Sequence, residues 1–260
     1  MASMLLTGVF IACSLMFILW VLHLLIKNAS IVDVGWVFGI VLLVLLYASM
    51  GNGFWLRKFL IMVMTVSWGV RLGGYILFRI WGKEEEGRYQ ALRKEWGNHI
   101  AFKFLLFFLF QGVLDVVFAL PAFFASINQN PEISHLEILS FGLCCFALLG
   151  ESLADYQLTQ FKKDPASKGK TCRAGLWNYS RHPNYFFEWL IWVSFFLFAL
   201  ASPFGFLSIA CPILIFYFLF KVSGIPATEA QALRTKGDNY REYQRTTSVF
   251  IPWFPKRQGR

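Results

Sequence analysis

Residues 175–201 read GLWNYSRHPNYFFEWLIWVSFFLFALA. The first part of this stretch is rich in polar side chains, and the rest, residues 185–201, is an apolar run long enough to cross a bilayer. Polar groups at membrane depth are costly unless they are paired, so such groups usually mark a functional site. The stretch therefore predicts a membrane-spanning helix with a binding or catalytic site at its entrance.

The composition of the whole chain extends this prediction. Of its 260 residues, 57% are hydrophobic and 15% are charged, and the mean hydropathy is +0.54. Soluble domains contain about 25% charged residues. The apolar residues also form runs that are apolar on all sides, which excludes a pair of soluble domains. We predict an all-α, multi-pass integral membrane protein that forms one domain over residues 1–260 and contacts membrane lipids.

Seven apolar runs are predicted to span the membrane. They cover residues 5–26, 31–47, 59–81, 105–127, 138–158, 185–201 and 204–222. Ser202-Pro203 alone separates the last two runs, which predicts a tight helical hairpin. The first run has neither a basic segment before it nor a small-residue cleavage site after it, so we expect a retained span and not a signal peptide.

The distribution of basic residues predicts the orientation in the membrane. Of 24 lysines and arginines, 21 fall on one side, and only Arg57 and Lys58 fall on the other, while Arg71 lies within the third run. Because cytoplasmic loops collect Lys and Arg, we expect the N-terminus outside and the C-terminus in the cytoplasm. The same placement accounts for the net charge of +9, which argues against a nucleic-acid partner.

The five cysteines give no sign of a metal site or a disulfide framework. They form no CxxC pair, and four of them lie in apolar runs. Cys172 is in a polar loop, where an ordinary loop cysteine is favoured over a reactive thiol. We therefore predict no metal ligands.

The cytoplasmic end of the fifth run carries a polar helical face. Glu151, Asp155, Thr159 and Lys162 share this face by their spacing of four, four and three residues. Two carboxylates one turn apart repel each other, and their burial near a bilayer is costly, so cations or hydrogen-bond donors are expected beside them. A binding site is favoured here over a solvated helix end.

The loop that follows offers groups for phosphate. Lys168-Gly169-Lys170 and Arg173 combine cations with a glycine that lets backbone amides approach an anion. The alternative is the ordinary excess of basic residues in a cytoplasmic loop.

The segment quoted first brings further polar side chains to the same end. Pro183 is placed to set the first turn of the sixth span, and Asn184 and Glu188 lie one turn apart on one face of it. Arg181 and His182 precede them and can donate to a phosphate or an amide. A capping role for His182 is the alternative, although the cluster is denser than capping requires.

The C-terminal tail supplies another candidate element. Tyr240 and Tyr243 are three residues apart on a short predicted helix and could either stack on a planar ring or anchor this helix to the membrane surface. Arg234 belongs to the same tail. The aromatic segment at residues 250–255 suits a membrane interface.

Two of the apolar runs also contain polar groups. Asp33 in the second run and Arg71 in the third could pair with each other, or they could line a cavity for a lipophilic, lipid-like substrate. The walls of such a cavity would be apolar side chains that each carry one polar atom, namely Trp36, Trp68 and Tyr75. Their presence favours the substrate cavity over a purely structural pair.

The C-terminal half of the chain, residues 151–254, resembles the steroid 5α-reductase C-terminal domain, and most closely its bacterial relatives of uncharacterised function. The resemblance is carried by Asp155, Gly175-Leu176-Trp177, Arg181-His182-Pro183-Asn184-Tyr185, Glu188, Tyr240, Tyr243 and Phe250-Ile251-Pro252. Arg88-Tyr89 also fits the bacterial pattern. Together with the missing signal sequence, this closeness favours a bacterial inner membrane.

The resemblance implies a seven-helix fold that binds NADPH and transfers a hydride to the carbon–carbon double bond of a lipophilic enone, which is steroid- or isoprenoid-like. It implies a cofactor site formed by Glu151, Asp155, Lys162, Arg173, Arg181, His182, Asn184, Tyr185, Glu188, Arg234, Tyr240 and Tyr243. Membrane methyltransferases of the isoprenylcysteine and phospholipid type carry a similar Arg-His-Pro-x-Tyr motif near S-adenosylmethionine. A methyltransferase is therefore the first alternative, and a non-enzymatic membrane protein or a transporter is the other.

The substrate side departs from the family pattern. Steroid reductases hold the substrate carbonyl with a Glu in the second span and a Tyr in the third. In this chain, Asp33 lies next to the Glu position, and Trp68 occupies the Tyr position. Trp is not a proton donor of comparable acidity. We therefore expect Asp33, Arg71 and Tyr75 as the catalytic donors, and Trp36 and Trp68 as substrate contacts. The sequence leaves the substrate and the oligomeric state open.

Overall fold

The computed structural model describes residues 1–222 and 224–256, and this part of the chain is helical with no strand. Its helices are α1 (Ala2–Ile26), α2 (Ile31–Met50), α3 (Trp55–Ile80), α4 (Gly87–Trp96), α5 (Ile100–Phe118), α6 (Leu120–Ile127), α7 (His135–Lys163), α8 (Pro183–Leu200), α9 (Ala210–Tyr217), α10 (Ile225–Lys236) and α11 (Asp238–Thr246). Short 3-10 turns occupy Pro165–Ser167, Gly175–Asn178 and Gly205–Ile209, and a π-helical turn occupies Phe218–Val222.

The prediction of seven spans is confirmed. In the described part of the chain, seven helical segments are long and apolar enough to cross a membrane: Ala2–Ile26, Ile31–Met50, Trp55–Ile80, Ile100–Ile127, His135–Lys163, Pro183–Leu200 and Gly205–Lys236. Several of them extend beyond the predicted apolar runs, because a helix continues as long as its backbone hydrogen bonds do, whether its side chains are apolar or not. The protein is an integral multi-pass membrane protein by this criterion.

The fourth span differs from a single straight helix. It consists of α5 and α6, and α6 carries Pro121 in its first turn. Proline has no backbone N–H and is tolerated where a helix begins, so the chain starts a new helix at Leu120. The predicted span is confirmed, and its interruption is a feature that hydropathy does not register.

The chain divides into two compact units. The first unit comprises Met1–Ile138 and Phe195–Ser208, and the second comprises Leu139–Ser194 and Ile209–Arg260. Within the first unit, α1 packs against α2 and α5, and α2 also packs against α3. Apolar helices that pack in this way bury their facing side chains and expose the others to lipid.

The turn of the predicted hairpin lies in the first unit. The Ser202 N–H donates to the Ala199 carbonyl over 2.8 Å, and the Gly205 N–H donates to the Ser202 carbonyl over 3.0 Å. A Cβ at Gly205 would lie 1.7 Å from the Ala199 oxygen, so only glycine fits this turn.

A buried ion pair fixes the connection between α6 and α7. Arg57 at the start of α3 pairs with Glu137, and both side chains are at most 1% exposed. The guanidinium also donates to the carbonyls of Asn128, Asn130 and Glu132 over 3.1, 2.8 and 2.6 Å. A buried guanidinium needs partners for its N–H groups, and here the loop backbone supplies them.

In the second unit, the turn Gly175–Asn178 is fixed to α7. The Leu176 N–H donates to Oε1 of Gln157 over 2.9 Å, and the Trp177 indole N–H donates to the Ala154 carbonyl over 2.9 Å. The chain after α11 returns to the same region, since the Ser180 hydroxyl donates to the Phe250 carbonyl over 2.7 Å. The end of α7, the turn and the tail are thus joined by hydrogen bonds.

Candidate functional site

The polar face of α7 is graded in burial. Glu151 is buried at 4% exposure, Asp155 is half-buried, and Thr159 and Lys162 are exposed. Carboxylates are rarely buried unless they are paired or belong to a site, so the inner end of this face is the part most typical of a binding site.

Asn184 joins α8 to this face. Its amide Nδ2 donates to Oδ1 of Asp155 over 3.1 Å, and its Oδ1 accepts from the Tyr185 backbone N–H over 3.1 Å. The prediction that Pro183 begins the sixth span is confirmed, since α8 starts at that residue. The hydrogen bond places the Asn184 amide beside the carboxylate face of α7.

Glu188 lies one turn further along α8. Its side chain is buried at 8% exposure, and Oε1 accepts a hydrogen bond from the Trp192 indole N–H over 2.9 Å. Glu151 and Glu188 thus give α7 and α8 one buried acidic side chain each. Such groups at the end of a membrane span are expensive to keep and are typical of binding sites.

Arg181 and His182 both contact Glu229 on α10. The Arg181 Nε donates to Glu229 Oε1 over 2.7 Å, and the His182 Nε2 lies 3.3 Å from the same oxygen. Arg181 also donates to the Gln244 and Thr247 carbonyls over 3.0 and 2.9 Å. These donors, predicted to contact a cofactor, are thus engaged by the protein, and they fix the segment that carries Asn184.

Glu229 accepts from two further donors. The Gln244 Nε2 donates to its Oε2 over 2.8 Å, and the Tyr240 hydroxyl donates to its Oε1 over 3.3 Å. Glu229 and Gln244 were not among the residues predicted from the sequence. The signal for Glu229 is an acidic residue in a basic tail, and its partners Arg181 and His182 are distant in sequence, so spacing alone could not have found them.

The tail tyrosines are buried within the second unit. Tyr240 is 4% and Tyr243 is 1% exposed, and burial raises the pKa of both phenols. The Tyr243 hydroxyl donates to the carbonyls of Trp177 and Ser180, the latter over 3.0 Å. In this arrangement the tyrosines hold α11 to the chain around the turn Gly175–Asn178, and stacking on a planar ring stays a prediction.

Several cations at the end of α7, in the basic loop and on α10 are open to solvent. Lys162, Lys168, Lys170 and Arg234 are exposed. Arg173 is also exposed and lies over the Tyr243 ring, with its guanidinium carbon 5.6 Å from the ring centroid. This exposure leaves the cations accessible to an anionic ligand, and their predicted role with phosphate remains a prediction.

Tyr185 connects the motif to α10 by a second route. Its ring stacks on the His182 ring with centroids 5.3 Å apart and planes 4° apart, and its hydroxyl is 3.2 Å from the Thr228 hydroxyl. The stacking adds to the polar contact of His182 with Glu229 in holding His182 in place. Tyr185 therefore supports the motif, and its predicted contact with a cofactor stays a prediction.

Cys172 lies in the basic loop but is not accessible. Its side chain is buried at 3% exposure, and burial raises the pKa of its thiol. A buried thiol that resists ionisation is a poor nucleophile. The burial and the raised pKa favour the ordinary structural cysteine over a reactive one.

In the first unit, Asp33 is paired with residues of α4. It forms an ion pair with Arg88, and its Oδ1 accepts from the Tyr89 hydroxyl over 2.8 Å. Tyr89 is 2% exposed, and burial raises the pKa of its phenol. Arg71 was the partner considered for Asp33 from the sequence, whereas the short helix α4 supplies both a cation and a phenol.

The predicted substrate residues occupy different environments. Trp68 is fully buried and meets Trp36 edge-on, with ring centroids 5.8 Å apart. Arg71 is half-buried on α3, and Tyr75 is 48% exposed with the Arg79 guanidinium 5.8 Å from its ring centroid. The two tryptophans therefore belong to the core of the first unit, while Tyr75 is on its surface.

Asp115 in α5 is an intramembrane carboxyl that was not predicted as a site residue. It is 0% exposed, and among the described residues neither of its oxygens has a hydrogen-bond partner. Gly39 faces it closely, since a Cβ there would lie 2.3 Å from Oδ2. Its signal in the sequence is a single acidic residue inside the fourth apolar run.

One protein family matches most of the chain. The family described as "Protein of unknown function (DUF1295)" matches residues 19–247. The chain belongs to the DUF1295 family. The match includes every predicted site residue, from Asp33 to Tyr243.

A relative of the chain comes from a fungus. An uncharacterized protein of Schizosaccharomyces pombe is 29% identical over 213 residues, which cover 71% of this chain and 62% of the relative. The matched region thus spans less than two thirds of the relative's length. No solved structure matches the chain significantly.

Proposed function

We propose that this DUF1295 protein is a membrane-embedded, NADPH-dependent reductase of a lipophilic enone. The observation that carries the proposal is the hydrogen bond of 3.1 Å between Asn184 and Asp155, beside the buried Glu151 and Glu188. The resemblance of residues 151–254 to the steroid 5α-reductase C-terminal domain supports the same reaction class.

The donor and acceptor types in the second unit fit a nicotinamide nucleotide. A carboxamide needs both an acceptor and a donor, and the carboxylates together with the Asn184 amide offer both. The phosphates of the nucleotide need cations, which the exposed Lys162, Lys168 and Arg173 supply. When bound, NADPH would supply the hydride.

Arg181 and His182 have a positioning role in this proposal. Because their side chains bind Glu229, they hold the segment before α8 and thereby orient the Asn184 amide. We propose that this is why the motif contains two donors directly before Pro183.

The reaction also needs a hydrogen-bond donor for the negative charge that develops on the substrate carbonyl. Among the donors predicted from the sequence, Asp33 is already engaged by the Arg88 guanidinium and by the Tyr89 hydroxyl, so Arg71 and Tyr75 are the other candidates for this role.

The first test is ligand stabilisation of the purified full chain in detergent. NADPH should raise the midpoint of thermal unfolding, and S-adenosylmethionine should not. Stabilisation by S-adenosylmethionine alone would refute the reductase assignment and favour a methyltransferase, which the Arg-His-Pro-x-Tyr motif also allows.

Two near-isosteric variants locate the site. Asn184→Leu removes the amide, and Glu188→Gln keeps an acceptor for Trp192 but removes the charge. Both should raise the apparent Kd for NADPH about tenfold or more, as the loss of one charged or amide contact does. Asn52→Leu, at an exposed asparagine of the first unit, is the matched control. Unchanged NADPH binding in both variants would show that the site lies elsewhere.

A further inference from the structure

The first unit contains a cavity of about 340 Å³ at the C-terminal end of α1. It is lined by His23, Leu24, Lys27, Glu85 and Arg93. None of these residues belongs to the proposed cofactor site, which lies in the second unit. The cavity has the volume of a small-molecule or headgroup site.

The protonation of His23 follows from its contacts. Its Nδ1 lies 2.6 Å from the Trp20 carbonyl oxygen, and because a carbonyl can only accept, Nδ1 carries the proton. The ring packs against Phe104 and Phe108, with both centroid distances 5.1 Å. This apolar packing favours the neutral imidazole, in which Nε2 is an acceptor.

His23, which lines this cavity, carries a ring nitrogen, Nε2, that is not satisfied. It is buried and has no hydrogen-bond partner among the described residues. A buried acceptor without a donor costs free energy, so a ligand that brings an O–H or N–H group would be stabilised here.

The charged side chains around the cavity indicate which charge its ligand should carry. Glu85 is occupied, since it accepts from Arg93 Nε and Nη2 over 2.7 and 3.0 Å and from the Ala29 N–H over 2.7 Å. Lys27 then remains as the cation that the Glu85 carboxylate does not offset. The cavity therefore favours a ligand with one negative charge.

The surroundings indicate an amphiphilic ligand. The neighbouring residues Leu24, Leu25 and Ile26 of α1 are 40%, 75% and 49% exposed. Exposed apolar side chains at the end of a spanning helix face the acyl region of a membrane. A ligand bound here would thus have its polar part in the cavity and its apolar part along α1.

We propose that this cavity binds a hydroxyl-bearing phosphate ester of the glycerol phosphate type, as in the headgroup of phosphatidylglycerol. A headgroup hydroxyl donates to His23 Nε2, and Lys27 compensates the phosphate charge. The same chemistry occurs in soluble glycerol 3-phosphate, and the experiment separates the two sources.

The test measures thermal unfolding of the full chain in detergent against increasing phosphatidylglycerol, phosphatidylcholine or glycerol 3-phosphate. Phosphatidylglycerol should raise the midpoint, while phosphatidylcholine, which lacks a headgroup hydroxyl and a net charge, should not. A response to glycerol 3-phosphate as well would support the headgroup chemistry and show that the acyl chains are dispensable. Equal responses to the two lipids would overturn the proposal.

Variants separate this site from general lipid effects. His23→Phe retains an aromatic ring but removes the acceptor, and Lys27→Gln removes the cation; each should raise the apparent Kd for phosphatidylglycerol about tenfold. Lys83→Gln, at another exposed lysine of the same unit, is the control and should bind normally. If His23→Phe does not fold, Lys27→Gln still decides the matter, because a wild-type Kd in that variant would refute the site.

Discussion

The Glu229 carboxylate contacts four side chains, and two of them are the Arg181 and His182 pair of the sequence motif. Residue types alone indicate that this pair can bind a phosphate or an amide. The structure shows instead that one acidic residue of α10 engages both donors. At the scale of the residue, the partner of a side chain determines its role, and the partner here is distant in sequence.

We predict that Glu229→Gln destabilises the protein by about 2 kcal/mol, because a neutral amide replaces the acceptor of a charged donor that is mostly buried. A lowered midpoint of thermal unfolding would measure this loss. Glu242→Gln is the control, since Glu242 is 46% exposed and lies 3.4 Å from Arg173, where an exposed pair contributes about 0–1 kcal/mol. Equal shifts in the two variants would contradict the assigned role.

Cys172 gives a second prediction at this scale. Burial raises the pKa of its thiol, so less thiolate is present at neutral pH and alkylation by a maleimide is expected to be slow. The rate should increase with pH beyond the range in which an ordinary thiol has already ionised. A cysteine introduced by Lys168→Cys at an exposed position of the same loop should react faster. Fast labelling of Cys172 at neutral pH would show a reactive thiol.

At the scale of the element, hydropathy predicted the spans well and their ends less well. An apolar run shows which residues favour lipid, and all seven runs correspond to helical segments. The break between α5 and α6, the π-helical turn at Phe218–Val222 and the extension of α7 to Lys163 are determined by backbone hydrogen bonds and by Pro121. Hydropathy does not report these features.

The buried pair Arg57 and Glu137 ties the start of α3 to the start of α7. Arg57→Leu should destabilise the protein by about 3–5 kcal/mol, because it leaves the Glu137 carboxylate buried without its cation. The double variant Arg57→Leu with Glu137→Leu should lose less stability than the single variant Arg57→Leu. Resistance to unfolding by sodium dodecyl sulfate measures the stability of both variants. A double variant as unstable as the sum of the single variants would refute this coupling.

At the scale of the whole molecule, the distribution of basic residues predicts the orientation. A green fluorescent protein fused after Lys256 should fluoresce in a bacterial host if the C-terminus is cytoplasmic, and an alkaline phosphatase fused to the loop at Asn52 should be active outside. The reverse pattern would place the Arg-His-Pro-x-Tyr motif on the wrong side for a cytoplasmic nucleotide.

The sequence by itself determined the membrane character of this protein, the number of its spans and the position of its polar clusters, because these depend on local composition and on the cost of polar groups in lipid. The tertiary structure alone decided which partners these polar groups have. Asp33 pairs with Arg88, Arg181 and His182 with Glu229, and the His23 Nε2 with no described residue. The physical reason is that hydrogen bonds and ion pairs act over a few ångströms in space, while the residues of these pairs lie 47 to 55 positions apart in the chain.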